Sequence, residues 1–146
     1  MRIYLDTCCY NRPYDNTLQL TVRLETQCKL HIQKLAKSHS IELVSSYMLY
    51  YECSKIPNDI RRENIEDYIK RYATIHVGDD RRSIIEEMAE GIMQTGVKFK
   101  DACHVASAIY AQCDCFISTD KRLLKYRNPR IELFSPIEFL LRLEGR

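Results

Sequence analysis

Residues 101–120 read DACHVASAIYAQCDCFISTD, and this stretch decides the fold. Ala102, Val105, Ala106 and Ile109 recur at i, i+3, i+4 and i+7, one face of a helix that Asp101 opens and that runs to Ala111. The small residues Ala102, Ala106, Ser107 and Ala108 let that helix pack closely on a sheet. A short apolar strand follows, Cys115 to Ser118, with Asp120 just past its end. One acid at a helix start and another at a strand end place two carboxylates on the same edge of an α/β layer, where such sheets bind their ligands.

Working outward, the pattern repeats. Ile3-Tyr4-Leu5 is a buried-strand signal inside Arg2 to Leu5, and Asp6 closes it. Cys8 to Asn16 holds Asn11, Pro13, Asp15 and Asn16 and reads as a loop. A long helix is expected from Thr17 to about Lys37, with Leu24, Cys28 and Leu35 on one face and Arg23, Lys29, Lys34 and Lys37 on the others. Ile41 to Ser45 is a second strand. Tyr47 to Lys55 reads as a helix carrying Glu52 and stopped by Pro57. Asn58 caps a further helix to about Tyr72, with Ile65, Tyr68, Ile69 and Tyr72 on one face. Thr74 to Val77 is a short strand, and Asp80 to Gln94 a helix for which Gly96 suits the C-terminal cap. Ile131 to Phe134 is the last strand. Ser135-Pro136-Ile137-Glu138 is a capping box with proline at the first helical position, opening a helix through Leu143. Alternating strands and helices give an α/β class with a mainly parallel sheet.

The chain has 146 residues, which fits a single domain spanning 1–146. Hydrophobic residues make up 45% and charged residues 29%, the balance of a globular chain rather than a disordered one. The net charge is only +2. Setting aside the four acids singled out here leaves 22 basic residues against 16 acidic ones, a basic remainder that suits a polyanionic substrate. Seven cysteines without a CxxC pair, and no secretory segment, point to a reducing cytoplasmic setting. Zinc held by Cys113, Cys115 and His104 lacks the usual ligand spacing, and the cysteines read better as small buried hydrophobes. No apolar run approaches the ~20 residues of a membrane span.

Asp6, Glu52, Asp101 and Asp120 are thus four acids at element edges. Without buried basic partners they would repel, so together they call for a hard cation, Mg²⁺ or Mn²⁺, bound through oxygen. Taken singly each has a plainer reading. Asp101 fits a helix cap, Glu52 an exposed helix charge and Asp120 a turn residue. His104, one turn after Asp101, fits either the pocket or a packing role. Thr7 fits a site hydroxyl or a turn. Lys98, Lys100, Lys121, Arg122, Lys125 and Arg127 flank the acidic segments and fit either RNA phosphates or a solvated surface.

Ile3-Tyr4-Leu5-Asp6-Thr7, Ser45 through Glu52, Lys100-Asp101-Ala102-Cys103-His104-Val105-Ala106-Ser107-Ala108 and Ile117-Ser118-Thr119-Asp120 together resemble the PIN domain, a nuclease fold common among VapC-type toxins. The resemblance covers essentially the whole chain. It implies a PIN-like three-layer fold with a five-stranded parallel sheet flanked by helices. It also implies an acidic pocket holding Mg²⁺ or Mn²⁺ and hydrolysis of RNA phosphodiesters. By position, Asp6, Glu52, Asp101 and Asp120 become the metal-site and catalytic acids, with Asp6 and Asp101 as direct ligands. Ser118 matches a hydroxyl that orients the pocket, and Thr7 and His104 support it.

Many relatives place a further acid after the last one; here Lys121 and Arg122 follow Asp120. The alternative is therefore a catalytically incomplete PIN-like module that binds RNA or assembles with partners. A phosphoacceptor receiver domain would want an acidic pair at the first strand, and a haloacid-dehalogenase-type phosphatase an Asp-x-Asp where Asp6-Thr7-Cys8 stands. The implied partners are RNA, an antitoxin protein and a second copy of the chain in a homodimer. Tyr47-Met48-Leu49-Tyr50-Tyr51 is too apolar for one helix face. Either a core wraps it on several sides, or part of it is an interface.

Overall fold

The computed structural model describes residues 1–12 and 18–145. Its elements are β1 (Arg2–Leu5), α1 (Thr7–Tyr10), α2 (Leu20–Lys37), β2 (Glu42–Ser46), α3 (Tyr47–Ser54), α4 (Asp59–Tyr72), β3 (Ala73–Val77), α5 (Arg82–Met93), α6 (Phe99–Tyr110), β4 (Cys115–Ile117), β5 (Glu132–Phe134) and α7 (Pro136–Glu144). Short 3-10 turns at Asp79–Arg81 and Leu123–Lys125 complete it. All five strands pair in parallel, in the order β3-β2-β1-β4-β5.

Side-chain alternation splits the core into two layers. Tyr4, Val44 and Phe116 face one side, against Ile85, Ala89 and Ile92 of α5 and Ala102, Val105 and Ala106 of α6. Ile3, Leu5, Leu43, Cys115 and Ile117 face the other, against Ile32 and Ala36 of α2, Ile65 and Ile69 of α4 and Phe139 of α7. Each fully buried large side chain contributes roughly 1.5–3 kcal/mol. Helices cover both faces, which is why the strands read as continuous apolar runs.

The strand order positions the site. From the central β1 the chain builds outward through β2 to β3. It then returns by way of α5 and α6 to lay β4 on the other side of β1. The order reverses at the β1–β4 boundary, and a crevice opens beyond the carboxyl ends of strands at such a switch point. Asp6 follows β1 there and Ser118 follows β4. The backbone joins them, since Asp6 N donates to Ile117 O at 2.9 Å.

Several local expectations need correction. The Cys8–Asn16 loop is helical at its start, because the Asp6 side chain accepts from Thr7 N at 2.8 Å and caps α1. Pro13, Asp15 and Asn16 lie outside the described residues, as does Thr17, the expected first residue of α2. The expected stripe on α2 is also rotated. Val22, Glu25, Lys29, Ile32 and Ala36 are buried, while Leu24 is exposed. Two charged residues enter the core because each has a partner. Glu25 accepts from Arg12 at 2.9 Å, and Lys29 donates to Gln33 Oε1 at 2.9 Å. The central helix starts at Phe99, two residues before Asp101, which therefore lies in its first turn, and Lys98 supplies no side-chain cap.

The Ser135 capping box is formed as the sequence predicts. Gly96, after α5, adopts φ +102°, a left-handed conformation that a glycine takes without a Cβ clash. The Tyr47–Tyr51 run is absorbed by both layers. Tyr47 and Met48 join one, Leu49 and Cys53 the other, and Tyr51 is left exposed. All seven cysteines are free thiols. Among the described residues no helix is long and apolar enough to cross a membrane.

Candidate functional site

Asp6, 5% exposed, lies just beyond β1. Its Oδ1 accepts from Thr7 N, and its Oδ2 from Ser118 Oγ at 2.9 Å. Oδ1 keeps a lone pair directed elsewhere, whereas Oδ2 also accepts from the Cys8 thiol. Ser118 is fully buried, and its Oγ also accepts from Asp120 N at 3.1 Å. One hydroxyl therefore ties the residue after β1 to the loop after β4. The Cys8 thiol lies 3.4 Å from Asp6 Oδ2 and from Ser118 Oγ.

Glu52 reaches the site from the second half of α3. Its Oε1 accepts from Thr7 Oγ1 at 2.7 Å and bonds His104 Nε2. Its other oxygen makes no hydrogen bond among the described residues. His104 is fully buried on α6, with Nε2 also 3.8 Å from Asp6 Oδ1. Its Nδ1 lies 2.6 Å from Tyr4 OH, which is 2.6 Å from Ser46 Oγ, the N-cap of α3. A continuous chain Ser46–Tyr4–His104–Glu52–Thr7 results, fixing the imidazole at both nitrogens. Tyr4 stacks on Phe116 with centroids 5.3 Å apart and meets the His104 ring edge-on.

The charges follow from these contacts. Burial alone would lower the His104 pKa, but the Glu52 hydrogen bond and the Asp6, Glu52 and Asp101 charges outweigh it and raise it. Burial would raise Glu52, but the His104 bond and charge, with Thr7 and Lys100, bring it below its ordinary value. The pair favours imidazolium and carboxylate. Asp101 behaves oppositely. Partial burial and the nearby Asp6, Asp120 and Glu52 carboxylates push it up to about 6, against a smaller lowering by His104. It accepts no hydrogen bond among the described residues.

Among the described residues, Asp6, Glu52 and His104 form the compact donor group, with ligand atoms within 4.8 Å of one another. Asp101 is near enough to feel their charge. Together with Asp120 it lines an adjoining cleft of about 520 Å³, whose other walls include Lys98, Arg122, Lys125 and Arg127. Asp120 itself is exposed, and its Oδ1 accepts from Arg122 N at 2.9 Å and Leu123 N at 3.3 Å, capping the 3-10 turn. Cys113 and Cys115 take no part in this cluster.

Sequence reasoning missed Tyr4, Ser46 and Cys8. A signal existed for Tyr4, because a tyrosine inside an otherwise apolar buried strand must find a hydrogen-bond partner for its hydroxyl. Nothing local marks the bonds from Ser46 to Tyr4 and from Cys8 to Ser118, which span 42 and 110 residues.

No family model and no curated protein matches the chain. Solved structures do. VapBC2 from Rickettsia felis, bound to a DNA fragment from its promoter, aligns at TM-score 0.55 and 17% identity, over 91% of this chain and 97% of that one. FitAcB from Neisseria gonorrhoeae aligns at 0.56 and 12%, over 92% and 98%. FitAB bound to an IR36 DNA fragment aligns at 0.59 and 15%, over 92% and 94%. At these identities the likeness establishes the fold. The chain is an all-parallel α/β protein with the PIN-domain fold.

Proposed function

We propose that the chain is a metal-dependent endoribonuclease, the toxin of a toxin–antitoxin pair, with Asp6, Glu52, Asp101 and Asp120 as its working acids. The observation that carries the proposal is the donor group of Asp6, Glu52 and His104, with ligand atoms within 4.8 Å of one another. Asp101 adds a further carboxyl, pushed up to about 6 by burial and its three acidic neighbours, a repulsion that a divalent cation would relieve. The donor set fits a hard ion. It offers carboxylate oxygens at Asp6 and Asp101 and a free second oxygen on Glu52. The one imidazole is committed to Tyr4 and Glu52.

Mg²⁺ or Mn²⁺, when bound, would supply Lewis acidity toward the phosphoryl oxygens and an acidified water. The protein's own part is orientation. Asp6 and Asp101 hold the ion, with Asp6 fixed by Thr7 N and Ser118 Oγ. Glu52 is anchored through one oxygen by Thr7 and His104 and presents the other to the attacking water. Its lowered pKa makes it a poor proton acceptor but a good orienter. Asp120 closes the cleft side. Lys98, Arg122, Lys125 and Arg127 face the substrate's phosphates there.

The test is cleavage of single-stranded and structured RNAs with Mg²⁺, Mn²⁺ or chelator. Cleavage should need the metal and vanish in Asp6→Asn and Asp101→Asn, which keep shape but remove charge. Undiminished cleavage by both folded variants refutes the mechanism.

One observation favours a second reading, a PIN-like module that binds RNA without cutting it. Asp120 spends an oxygen capping its own turn, and Lys121 and Arg122 follow it instead of another acid. Metal-independent RNA binding without cleavage under any metal would select that reading. An antitoxin partner and a homodimer complete the proposal, both resting on the VapC-type resemblance.

A further inference from the structure

The chain has ten tyrosines, and the fold singles out one beside the acidic site. Among the described residues only Tyr51 and Tyr110 are well exposed, at 47% and 38%. Tyr110 ends α6, at the far end from Asp101. Tyr51 immediately precedes Glu52 on α3. Two ammonium groups converge on its ring, Lys55 Nζ 5.1 Å and Lys100 Nζ 5.4 Å from the centroid. Lys55 is the C-cap of α3, and Lys100 comes from α6, directly before Asp101. Both lysines are exposed, and among the described residues neither is ion-paired with a carboxylate.

Cation–π contacts at an exposed ring are weak, so two ammoniums lying over the Tyr51 ring leave it readily for a phosphate. The ring so uncovered, with two cations on flexible stems beside it, can hold an unpaired nucleotide. The base stacks on the ring while the ammoniums swing on flexible stems to the flanking phosphates. A duplex hides its base faces and could not use the ring. Asp101 also lines the cleft edged by Lys98, Arg122, Lys125 and Arg127.

We propose that Tyr51, Lys55 and Lys100 form a subsite for one unpaired nucleotide of a single-stranded RNA substrate, next to Glu52 and Asp101. The assignment rests on the nuclease reading of the acidic site. It gives the strand a path from Tyr51, over the acids, to Arg122 and Lys125.

The test separates binding from cleavage. Anisotropy of a fluorescein-labelled single-stranded RNA and its duplex is measured in EDTA across a salt series, for the intact chain and three variants. Tyr51→Ala should weaken single-strand binding by roughly tenfold or more, the loss of one stacked base. It should leave duplex binding unchanged, and Tyr51→Phe should bind like the parent. The double variant Lys55→Gln/Lys100→Gln should flatten the log–log salt slope by about 1.4, two phosphate contacts on a single strand.

A parent that cleaves RNA while Tyr51→Ala and the double variant bind it unchanged overturns the subsite and leaves the nuclease reading intact. Tyr51-dependent binding without metal-dependent cleavage upholds the subsite and removes the nuclease reading. Unchanged RNA affinity in Tyr51→Ala, with self-association lost in sedimentation, assigns the ring to a second protein chain and overturns the proposal.

Discussion

At the scale of residues, the acids of this site are held in unlike states by their neighbours. Glu52 and His104 lock each other into the charged forms, while Asp101 is pushed toward its neutral one. The sign for stability follows. An aspartate whose folded pKa of about 6 exceeds its unfolded value near 4 binds its proton more tightly in the native state. The stability contributed by protonated Asp101 is therefore present below pH 4 and lost as pH rises to 6. Above pH 6 the ionised group costs about 1–2 kcal/mol after solvent screening. Thermal unfolding in chelator should show Asp101→Asn more stable than the parent at pH 7, with the gap closing by pH 4. A pH-independent gap would mean that Asp101 does not feel its acidic neighbours.

Elements carry two further consequences, one from a helix end and one from a helix face. Ser135 caps α7 by accepting from Glu138 N, and Glu138 returns the bond to Ser135 N. Ser135→Ala should cost about 1 kcal/mol in denaturant unfolding. RNA binding should be unaffected, because α7 lies in the layer away from α6. On α2 the buried Lys29 is lowered to about 8 by loss of solvent. Below pH 8 its charge is buried at a cost, and between 8 and 10 the folded state holds fewer protons than the unfolded one, so stability rises with pH there. Lys29→Met should stabilise the protein by roughly 1–3 kcal/mol at pH 7, an advantage that fades above pH 10. Equal gains at both pH values would assign the effect to packing alone.

For the whole molecule, the open question is what covers its exposed apolar side chains. The Tyr47–Tyr51 run no longer argues for a partner, since the two core layers take most of it. Leu20 and Leu24 on α2 and Leu141 on α7 remain 62%, 43% and 63% exposed, and these two helices pack together. Isolated exposed leucines are ordinary on a monomer, whereas a contiguous patch marks an interface. If the proposed homodimer uses this face, sedimentation equilibrium at micromolar concentration should give twice 17.3 kDa. A Leu20→Glu/Leu141→Glu variant should then return the monomer mass. A monomeric parent refutes the dimer.

The sequence by itself determined the alternation of elements, the parallel sheet, the capping box and the places of Asp6 and Asp120 beyond strand ends, but not that of Glu52, which sits in the second half of α3. Each of these is written in local spacing, namely the helical period around Ala102, the apolar runs of β1 and β4 and the box at Ser135. It did not determine which face of α2 is buried, because burial of Glu25 and Lys29 depends on partners brought by folding. It placed the start of the central helix to within two residues, at Asp101 for Phe99, but not the burial that Asp101 meets there. Nor could it show that His104 is pinned between Tyr4 and Glu52, or that Tyr51 stands exposed beside Lys55 and Lys100. The two His104 contacts join residues 52 and 100 positions apart. Only the meeting of strands and helices at the β1–β4 switch point decides them, because a hydrogen bond or a charge shift depends on distance in space rather than along the chain.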